Sequence, residues 1–263
     1  MTHLILYSAP EERYIDHLQK CLERFNIIFS MWDSTIRRIF SIGEEEDISY
    51  LLREMIIFHD LGKLTKRWQE NLEDLEKSKK NKKLPSHATI GAAYLYKKFP
   101  KGNGYNDLKN AIVFAVAIHH TDSGLLGDNI ERPDVQAILD GIVDNGGKIK
   151  WSDETETLDE KFFPKELNEL TIEDLKNMAR GLRIWARSGG FLEQHKKRIQ
   201  ASLVHHILKL CDISAASERK EYKKEDDVNY YRGWLMVEEI KEYVNALQNK
   251  LPQRSNNDEI HKT

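Results

Sequence analysis

Residues 55–65 read MIIFHDLGKLT, and this stretch carries the strongest signal in the sequence. Four apolar residues lead directly into His59 and Asp60, which are followed after one leucine by Gly62 and Lys63. An ionised carboxylate at the end of an apolar helix is costly to bury unless it is paired or bound to a metal ion. The stretch therefore predicts an interior functional site at Asp60.

Five further residues that suit metal ligation stand in comparable surroundings. His87 opens a predicted helix, and the pair His119-His120 closes the most apolar segment of the chain. His17 lies on the first amphipathic helix, and Asp212 lies inside a mostly apolar one. Imidazole and carboxylate ligands together suit divalent first-row ions from Mn²⁺ to Zn²⁺. Two such ions ~3.5–4 Å apart would activate a water and stabilise the leaving oxygen of a phosphodiester.

Apolar residues recur at spacings of three and four along most of the chain, which is typical of amphipathic helices. This pattern predicts helices over residues 12–30, 47–58, 87–98, 107–120, 172–187, 196–219 and 227–249. Ser86 and Thr171 are the predicted N-caps of the third and fifth of these. We therefore expect an all-α protein.

Three segments interrupt the helical pattern. Residues 73–86 are rich in lysine and predicted to be a solvated loop. Residues 121–165 contain several glycines and acids and are interpreted as an insertion or a lid, with one short helix from Pro133 to Ile142. The polar residues 251–263 are predicted to be a flexible tail. Residues 1–250 then form a single domain.

Composition excludes several classes of protein. The 263 residues carry 40 Lys and Arg against 43 Asp and Glu, a net charge of −3, so a generally basic nucleic-acid binder is excluded while local basic patches are not. Two cysteines, Cys21 and Cys211, are too few for a disulfide framework or a Cys-rich zinc site. The longest apolar run, residues 111–118, is too short to cross a membrane, which needs about 20 residues. There is no signal-peptide layout and no P-loop, and we expect a cytoplasmic protein.

The order of the motifs resembles a known family. HDLGKLTKRWQ (59–69), SHATIGAAYL (86–95) and AIHHTDSG (117–124) are similar to the HD nuclease of the CRISPR-associated nuclease-helicase family, here as a stand-alone nuclease subunit. The resemblance spans residues 14 to about 219, with His17 matching an additional N-terminal histidine of that family and Lys63 the lysine of its HDxGK motif. It departs at Asp212, which is followed by Ile213 where the family often has arginine.

The resemblance implies a fold, a site and partners. The fold is an HD-domain helical bundle with a metal site in its centre. The implied metal ligands are His17, His59, Asp60, His87, His119, His120 and Asp212. One or two divalent ions (Mn²⁺, Mg²⁺, Co²⁺ or Ni²⁺) would support endo- or exonuclease cleavage of single-stranded DNA. The implied partners are a separate helicase subunit and a type I CRISPR surveillance complex, with no membrane involved.

The residues themselves suggest how roles are divided. Asp60 has two carboxylate oxygens where an imidazole offers one free nitrogen, so it is predicted to bridge two ions. Lys63 is predicted to contact the substrate phosphate, which makes Asp60 and Lys63 the predicted catalytic residues. Four lysines of the loop are predicted to guide the DNA backbone: Lys79, Lys80, Lys82 and Lys83.

Each assignment has a plainer alternative. Asp212 would instead form a buried salt bridge with Arg198 or Lys209, and His119-His120 would be a favourable charge at a helix end. His17, His205 and His206 would be ordinary packing or surface residues. Trp68 and Trp151 would stack on bases or, more commonly, pack in the core. The lysine loop would be only a solvated charge run.

Two other functions compete with the nuclease. An HD phosphohydrolase of a small nucleotide, a dNTP or a cyclic dinucleotide, would share His59, Asp60 and Asp212 but would need basic or aromatic side chains around a closed pocket. A degenerate scaffold without activity is the third hypothesis. All the expected ligands are present, so the sequence does not favour it.

Overall fold

The computed structural model describes residues 5–78, 87–99, 105–120, 142–218, 239–240 and 242–249. The main elements in chain order are β1 (Tyr7–Ala9), β2 (Glu12–Arg13), α1 (Tyr14–Phe40), α2 (Ser49–Phe58), α3 (Lys66–Ser78), α4 (Ala88–Lys98), α5 (Asn106–Ile118), α6 (Ile172–Arg187) and α7 (Phe191–Ala216). Short 3₁₀ helices span Leu61–Leu64, Asp153–Thr157 and Lys165–Glu169, and residues 242–249 are also helical. The predicted helical bundle is confirmed.

The first helix differs from its prediction at both ends. A small antiparallel hairpin of β1 and β2 occupies its predicted start at residue 12, and Glu11 closes the turn with a positive φ of 59°. The helix then continues well beyond residue 30, because Ile36 and Phe40 extend its buried stripe. Ser41, in the left-handed conformation, ends it.

The lysine-rich stretch was predicted as a loop, and that prediction is wrong for residues 73–78, which belong to α3. Trp68 and Leu72 lie four residues apart on the buried face of this helix and are 1% and 2% exposed. These two apolar anchors, beside the buried Gln69, hold a helix whose other residues are mostly polar or charged. The other residues of the stretch lie outside the described part of the chain, among them Ser86, Lys79, Lys80, Lys82 and Lys83.

The later helices follow their predictions more closely. Thr171 caps α6 as expected: its hydroxyl accepts a hydrogen bond from the Asp174 amide, and the Asp174 carboxylate accepts one from the Thr171 amide at 2.9 Å. α7 begins at Phe191, before the predicted residue 196. Of the predicted helix 227–249, residues 227–238 fall outside the described chain.

The core joins the six helices α1, α2, α4, α5, α6 and α7 around one interior. Phe25 of α1, Phe58 of α2 and Phe114 of α5 are each at most 1% exposed, and full burial of such a side chain contributes about 1.5–3 kcal/mol. α7 packs on both α1 and α5, and α4 packs on α5 and α2. Side chains from α1 and α7 therefore meet residues at the ends of α2, α4 and α5. None of the helices in the described residues is long and apolar enough to cross a membrane.

The described half of the predicted insertion, residues 142–165, packs against this core. Ile149, Phe162 and Phe163 are buried in it, and Trp151 pairs through its backbone with Thr65, next to the HD segment. Residues 121–141, which include all but the last residue of the helix predicted from Pro133 to Ile142, lie outside the described chain. Residues 142–165 of the predicted insertion thus lie next to the HD segment through the Trp151–Thr65 pairing.

Candidate metal centre

The end of α2 places the HD pair in the interior. His59 keeps helical backbone angles as the last turn closes, and its Nδ1 donates a hydrogen bond to the carbonyl of Ile56 at 2.8 Å. This bond fixes the imidazole tautomer, so that Nε2 is the free acceptor. Asp60 starts the 3₁₀ helix Leu61–Leu64, and both His59 and Asp60 are 0% exposed.

Two glycines bring the start of α4 against the HD pair. A Cβ on Gly62 would lie 2.3 Å from the carbonyl oxygen of His87, and a Cβ on Gly91 would lie 2.0 Å from that of Phe58. Any larger side chain at either position would push α4 away from the end of α2. The glycines therefore position His87, whose Nε2 lies 3.1 Å from Asp60 Oδ1.

The end of α5 supplies the double histidine. His119 Nδ1 donates to the carbonyl of Val116 at 2.7 Å, which leaves Nε2 as the acceptor nitrogen, as in His59. His119 Nε2 lies 3.4 Å from Asp60 Oδ1, and His120 Nε2 lies 4.0 Å from the same oxygen. His119 is fully buried, whereas the His120 side chain is 47% exposed. The pair thus links the interior to the surface.

The first turn of α1 and the last turns of α7 close the site from the other side. His17 Nε2 lies 3.4 Å from Asp60 Oδ2 and 3.3 Å from Asp212 Oδ1. Asp212 Oδ1 also lies 3.8 Å from His59 Nε2. The carboxylate of Asp212 therefore faces the interior histidines, as its place in an apolar helix predicts.

These side chains form two groups of potential metal ligands. The inner set consists of His17, Cys21, His59 and Asp212, and the outer set of Asp60, His87, His119 and His120; within each set the donor atoms lie within 4.8 Å of one another. Asp60 lies between them, because its Oδ1 faces the outer histidines and its Oδ2 faces His17 and His59. The structure thus brings together all seven predicted ligands and adds Cys21.

The donor chemistry fits divalent ions. His59 Nε2 and His119 Nε2 are buried and accept no hydrogen bond from the described residues. His87 Nε2 and His120 Nε2 lie 2.6 Å apart, within hydrogen-bond distance, so both nitrogens point to the same place. Ligands at bond lengths of ~2.0–2.1 Å around a tetrahedral ion would lie about 3.4 Å apart. The 3.3 Å between His17 Nε2 and Asp212 Oδ1 matches this separation.

The outer histidines are held in the form that binds metals. Burial lowers the pKa of His87 and of His119 to about 4, and burial together with the neighbouring His119 also lowers the pKa of His120. A metal-ligating imidazole must be neutral. The outer set is therefore ready to bind an ion at neutral pH without losing a proton.

The inner set differs in its protonation. Burial alone would lower the pKa of His17, but its contacts with Cys21, Asp212 and Asp60 outweigh burial and hold that pKa well above the usual value. Burial raises the pKa of the Cys21 thiol. For Asp60, burial would raise the pKa, yet His59 and Lys63 hold it well below the usual range. In the metal-free protein His17 is thus a cation that faces the carboxylates of Asp60, Asp212 and Glu12.

Lys63 is paired inside the protein. It is 6% exposed, and its ammonium lies 2.7 Å from Asp60 Oδ2 and 5.8 Å from the centre of the Trp68 ring. The ammonium therefore lies beside the Asp60 oxygen that faces the inner set, and it offsets the charge of that carboxylate. Its predicted contact with substrate remains a prediction.

Two residues of the site were missed from the sequence. Cys21 stands four residues after His17, a spacing that places both on one face of α1 and was available as a signal. Glu12 lies in β2, with its Oε2 3.3 Å from His17 Nδ1 and 2.7 Å from the hydroxyl of Ser8, which donates to it. A carboxylate behind a ligating histidine orients the imidazole and raises its basicity. No sequence spacing points to Glu12.

Several other residues singled out in the sequence have ordinary roles. Trp68 is buried, and the half-buried Trp151 donates its indole N–H to the carbonyl of Leu167 at 3.0 Å. His206 stacks on Trp32 with ring centres 5.6 Å apart. His205, on the same helix as His206, belongs to neither donor set. Packing is thus the observed role of Trp68, Trp151 and His206.

A helical bundle with buried histidines and aspartates at its centre, arranged around a His-Asp pair, defines the HD-domain class of metal-dependent phosphohydrolases. The family model described as "Cas3, HD domain" matches residues 13–261, which is nearly the whole chain. The chain therefore belongs to the Cas3 HD-domain family, whose members are metal-dependent nuclease domains of CRISPR interference. No curated protein and no solved structure matches the chain.

Proposed function

We propose that this protein hydrolyses phosphodiester bonds of single-stranded DNA during CRISPR interference and works beside a separate helicase subunit. The observation that carries the proposal is the pair of donor sets joined by Asp60, of which the outer one reaches the surface at His120. The buried donor atoms would hold the ions, and the exposed side of His120 would let a DNA backbone reach them. Both are needed to cut a long substrate.

The side chains divide the work between them. A divalent ion held there supplies an activated water and charge neutralisation at the phosphate. Asp60 holds both donor sets in register through its two oxygens, and Lys63 offsets negative charge beside it. The exposed side of His120 is where a phosphodiester can approach the outer set without displacing core helices.

The charge of the chain supports a single strand as the substrate. A net charge of −3 provides no broad basic surface for a stiff duplex, so we propose that binding is weak and salt-sensitive. A helicase, within a type I surveillance complex, would deliver the unwound strand. This role implies that the protein acts in the cytoplasm, with Mn²⁺, Mg²⁺, Co²⁺ or Ni²⁺ as the candidate ions.

The test compares three substrates under matched conditions. Circular single-stranded DNA, a blunt duplex of the same sequence and a dNTP mixture are each incubated with the protein in Mn²⁺ and in excess EDTA. Asp60→Asn, prepared in parallel, controls for contaminating nuclease. We expect loss of the circular strand in Mn²⁺, little cutting of the duplex, and no activity in EDTA or in the variant.

Each opposite result contradicts a different part of the proposal. Equal rates on duplex and single strand, without a helicase, would refute the strand preference. Hydrolysis of dNTPs with intact circular DNA would establish the small-nucleotide alternative. Full activity in EDTA, with no tightly held ion in elemental analysis, would refute the metal mechanism.

A further inference from the structure

The inner set contains a sulfur atom that faces the other ligands. Cys21 Sγ lies 3.5 Å from His17 Nε2, and both residues are 0% exposed. Because residues four apart on a helix share a face, α1 directs both donors to the same point. Although Cys21 is part of the apolar core, its sulfur therefore lies within the inner set.

A second observation indicates that this point is a ligand site. His59 Nε2 is fully buried, accepts no hydrogen bond from the described residues, and belongs to the same group of four donors. Around a tetrahedral ion, a sulfur at ~2.3 Å and a nitrogen at ~2.0–2.1 Å lie about 3.6 Å apart. The observed separation of Cys21 Sγ and His17 Nε2 agrees with that value.

We propose that Cys21 is the fourth protein ligand of the inner ion, as a thiolate. This inference rests on the proposed metal-dependent function. On binding, the S–H bond of Cys21 and the Nε2–H bond of protonated His17 break, both protons leave to solvent, and the sulfur and the nitrogen bond to the ion, with no change of oxidation state. The inner set then offers two nitrogens, one oxygen and one sulfur, whereas the outer set offers three nitrogens and one oxygen.

The sulfur gives the two positions different metal preferences. Thiolates favour Zn²⁺, Co²⁺ and Cd²⁺ over the hard ions Mg²⁺ and Mn²⁺. The inner position therefore takes a thiophilic divalent ion, while the outer position accepts a wider range. A mixed-metal protein is the consequence.

The experiment loads the metal-free protein with Co²⁺ in the absence of oxygen. Cobalt bound to a thiolate shows a near-ultraviolet charge-transfer absorption, which cobalt bound only to nitrogen and oxygen lacks. Three proteins are compared: the wild type, Cys21→Ala and Cys211→Ala. Cys211 is the matched control, because it is equally buried but belongs to neither donor set. Elemental analysis gives the cobalt content, and circular dichroism checks the fold.

We expect the charge-transfer absorption in the wild type and in Cys211→Ala, and its loss in Cys21→Ala while cobalt remains bound. The wild-type preference for Cd²⁺ over Mn²⁺ should fall at least ~10-fold in Cys21→Ala, as for other losses of support at a metal site. X-ray absorption of the zinc-loaded wild type should show one sulfur at about 2.3 Å, a readout that needs no variant.

Three results would overturn the inference, and they differ in what else they refute. Bound cobalt without charge transfer in the wild type, or a band that persists in Cys21→Ala, refutes the sulfur ligand alone. Zinc bound only to nitrogen and oxygen does the same. A chain that binds no divalent ion at all refutes the metal centre and the proposed function together.

Discussion

The inner and outer donor sets both adjoin Asp60 but are built differently. His17, Cys21 and His59 are fully buried on α1 and at the end of α2, and Glu12 supports His17 from behind. In the outer set, exposure increases from the buried His119 to His120, whose side chain is 47% exposed. Ligands that are enclosed on all sides favour retention of an ion, while an open edge allows exchange with water and substrate.

Their protonation differs in the same way. The outer histidines His87 and His119 are neutral at neutral pH, whereas His17 in the metal-free inner set is a cation. An ion entering the inner set must therefore displace the His17 proton, in addition to any proton lost by Cys21, and one entering the outer set need displace none. The comparison teaches that one carboxylate, Asp60, can join a position that retains its ion to a position that water and substrate can reach.

Removal of the Asp60 carboxylate, which lies between the two sets, should have the largest effect. Asp60→Ala should lose cleavage and both ions, because each Asp60 oxygen faces one set. Asp212→Ala should empty the inner set alone, since Asp212 contacts only inner histidines among the ligands. Elemental analysis and a single-stranded DNA assay measure the two effects.

The Asp60 variant also leaves the Lys63 ammonium without its carboxylate, so folding must be checked by circular dichroism. Asp60→Asn keeps the size of the side chain and should behave as Asp60→Ala does. Retention of both ions in a folded Asp60 variant would show that the two sets are independent.

Replacement of the cation between the sets should slow cleavage without emptying them. Lys63→Ala should keep near wild-type metal content while the rate falls ~10²–10³-fold, as for loss of one preorganised electrostatic group. Lys66→Ala is the matched control, because Lys66 is exposed at the start of α3 and should cut at the wild-type rate. A wild-type rate in Lys63→Ala would confine Lys63 to a structural pairing with Asp60.

The support behind His17 offers a test of the inner set alone. Glu12→Gln removes the charge that faces His17 Nδ1 and should weaken inner-ion affinity ~10–100-fold, with the outer ion unaffected. Glu11→Gln, on the exposed neighbour, should leave both affinities unchanged. Competition with a chelator measures each affinity. Equal weakening of both ions would mean that Glu12 acts on the whole fold and not on His17.

Most helices, and the seven side chains that the structure brings together as candidate ligands, could be predicted from the sequence because their signals are local. At His59-Asp60, the apolar run predicts that the segment is buried, and the histidine and aspartate at its end predict a metal site. A capping box at Thr171 is likewise complete within four residues. Such features need no knowledge of how distant segments pack.

The residues that were missed depend on convergence through space. Cys21 was considered in the sequence only for a disulfide framework or a Cys-rich zinc site, since nothing local says that its face of α1 meets Asp212. Glu12 sits in a two-residue strand, too short for an alternating pattern. α3 was mistaken in part for a loop because charge outweighs its two anchors, Trp68 and Leu72. The Cys21 and α3 misses thus arise from packing between segments, whereas Glu12 was missed because its short strand carries no recognisable pattern.

The smallest predicted effect is a pair of opposite pH slopes in the metal-free protein. The pKa of His87 is about 4 in the folded state against about 6.5 when unfolded, so the unfolded chain binds more protons between these values. Stability should therefore fall as the pH drops from about 6.5 toward 4. His17 has the opposite sign: its raised pKa adds stability below pH ~6.5 that is lost as the pH rises through the folded value.

His87→Asn, with asparagine as a good N-cap for α4, should lessen the loss of stability in acid, and His17→Asn should lessen the loss of stability at higher pH. Urea midpoints measured in EDTA from pH 4.5 to 8 separate the two slopes. If both variants keep the wild-type slopes, the inner and outer histidines are not prepared differently, and the contrast between the two sets reduces to their exposure alone.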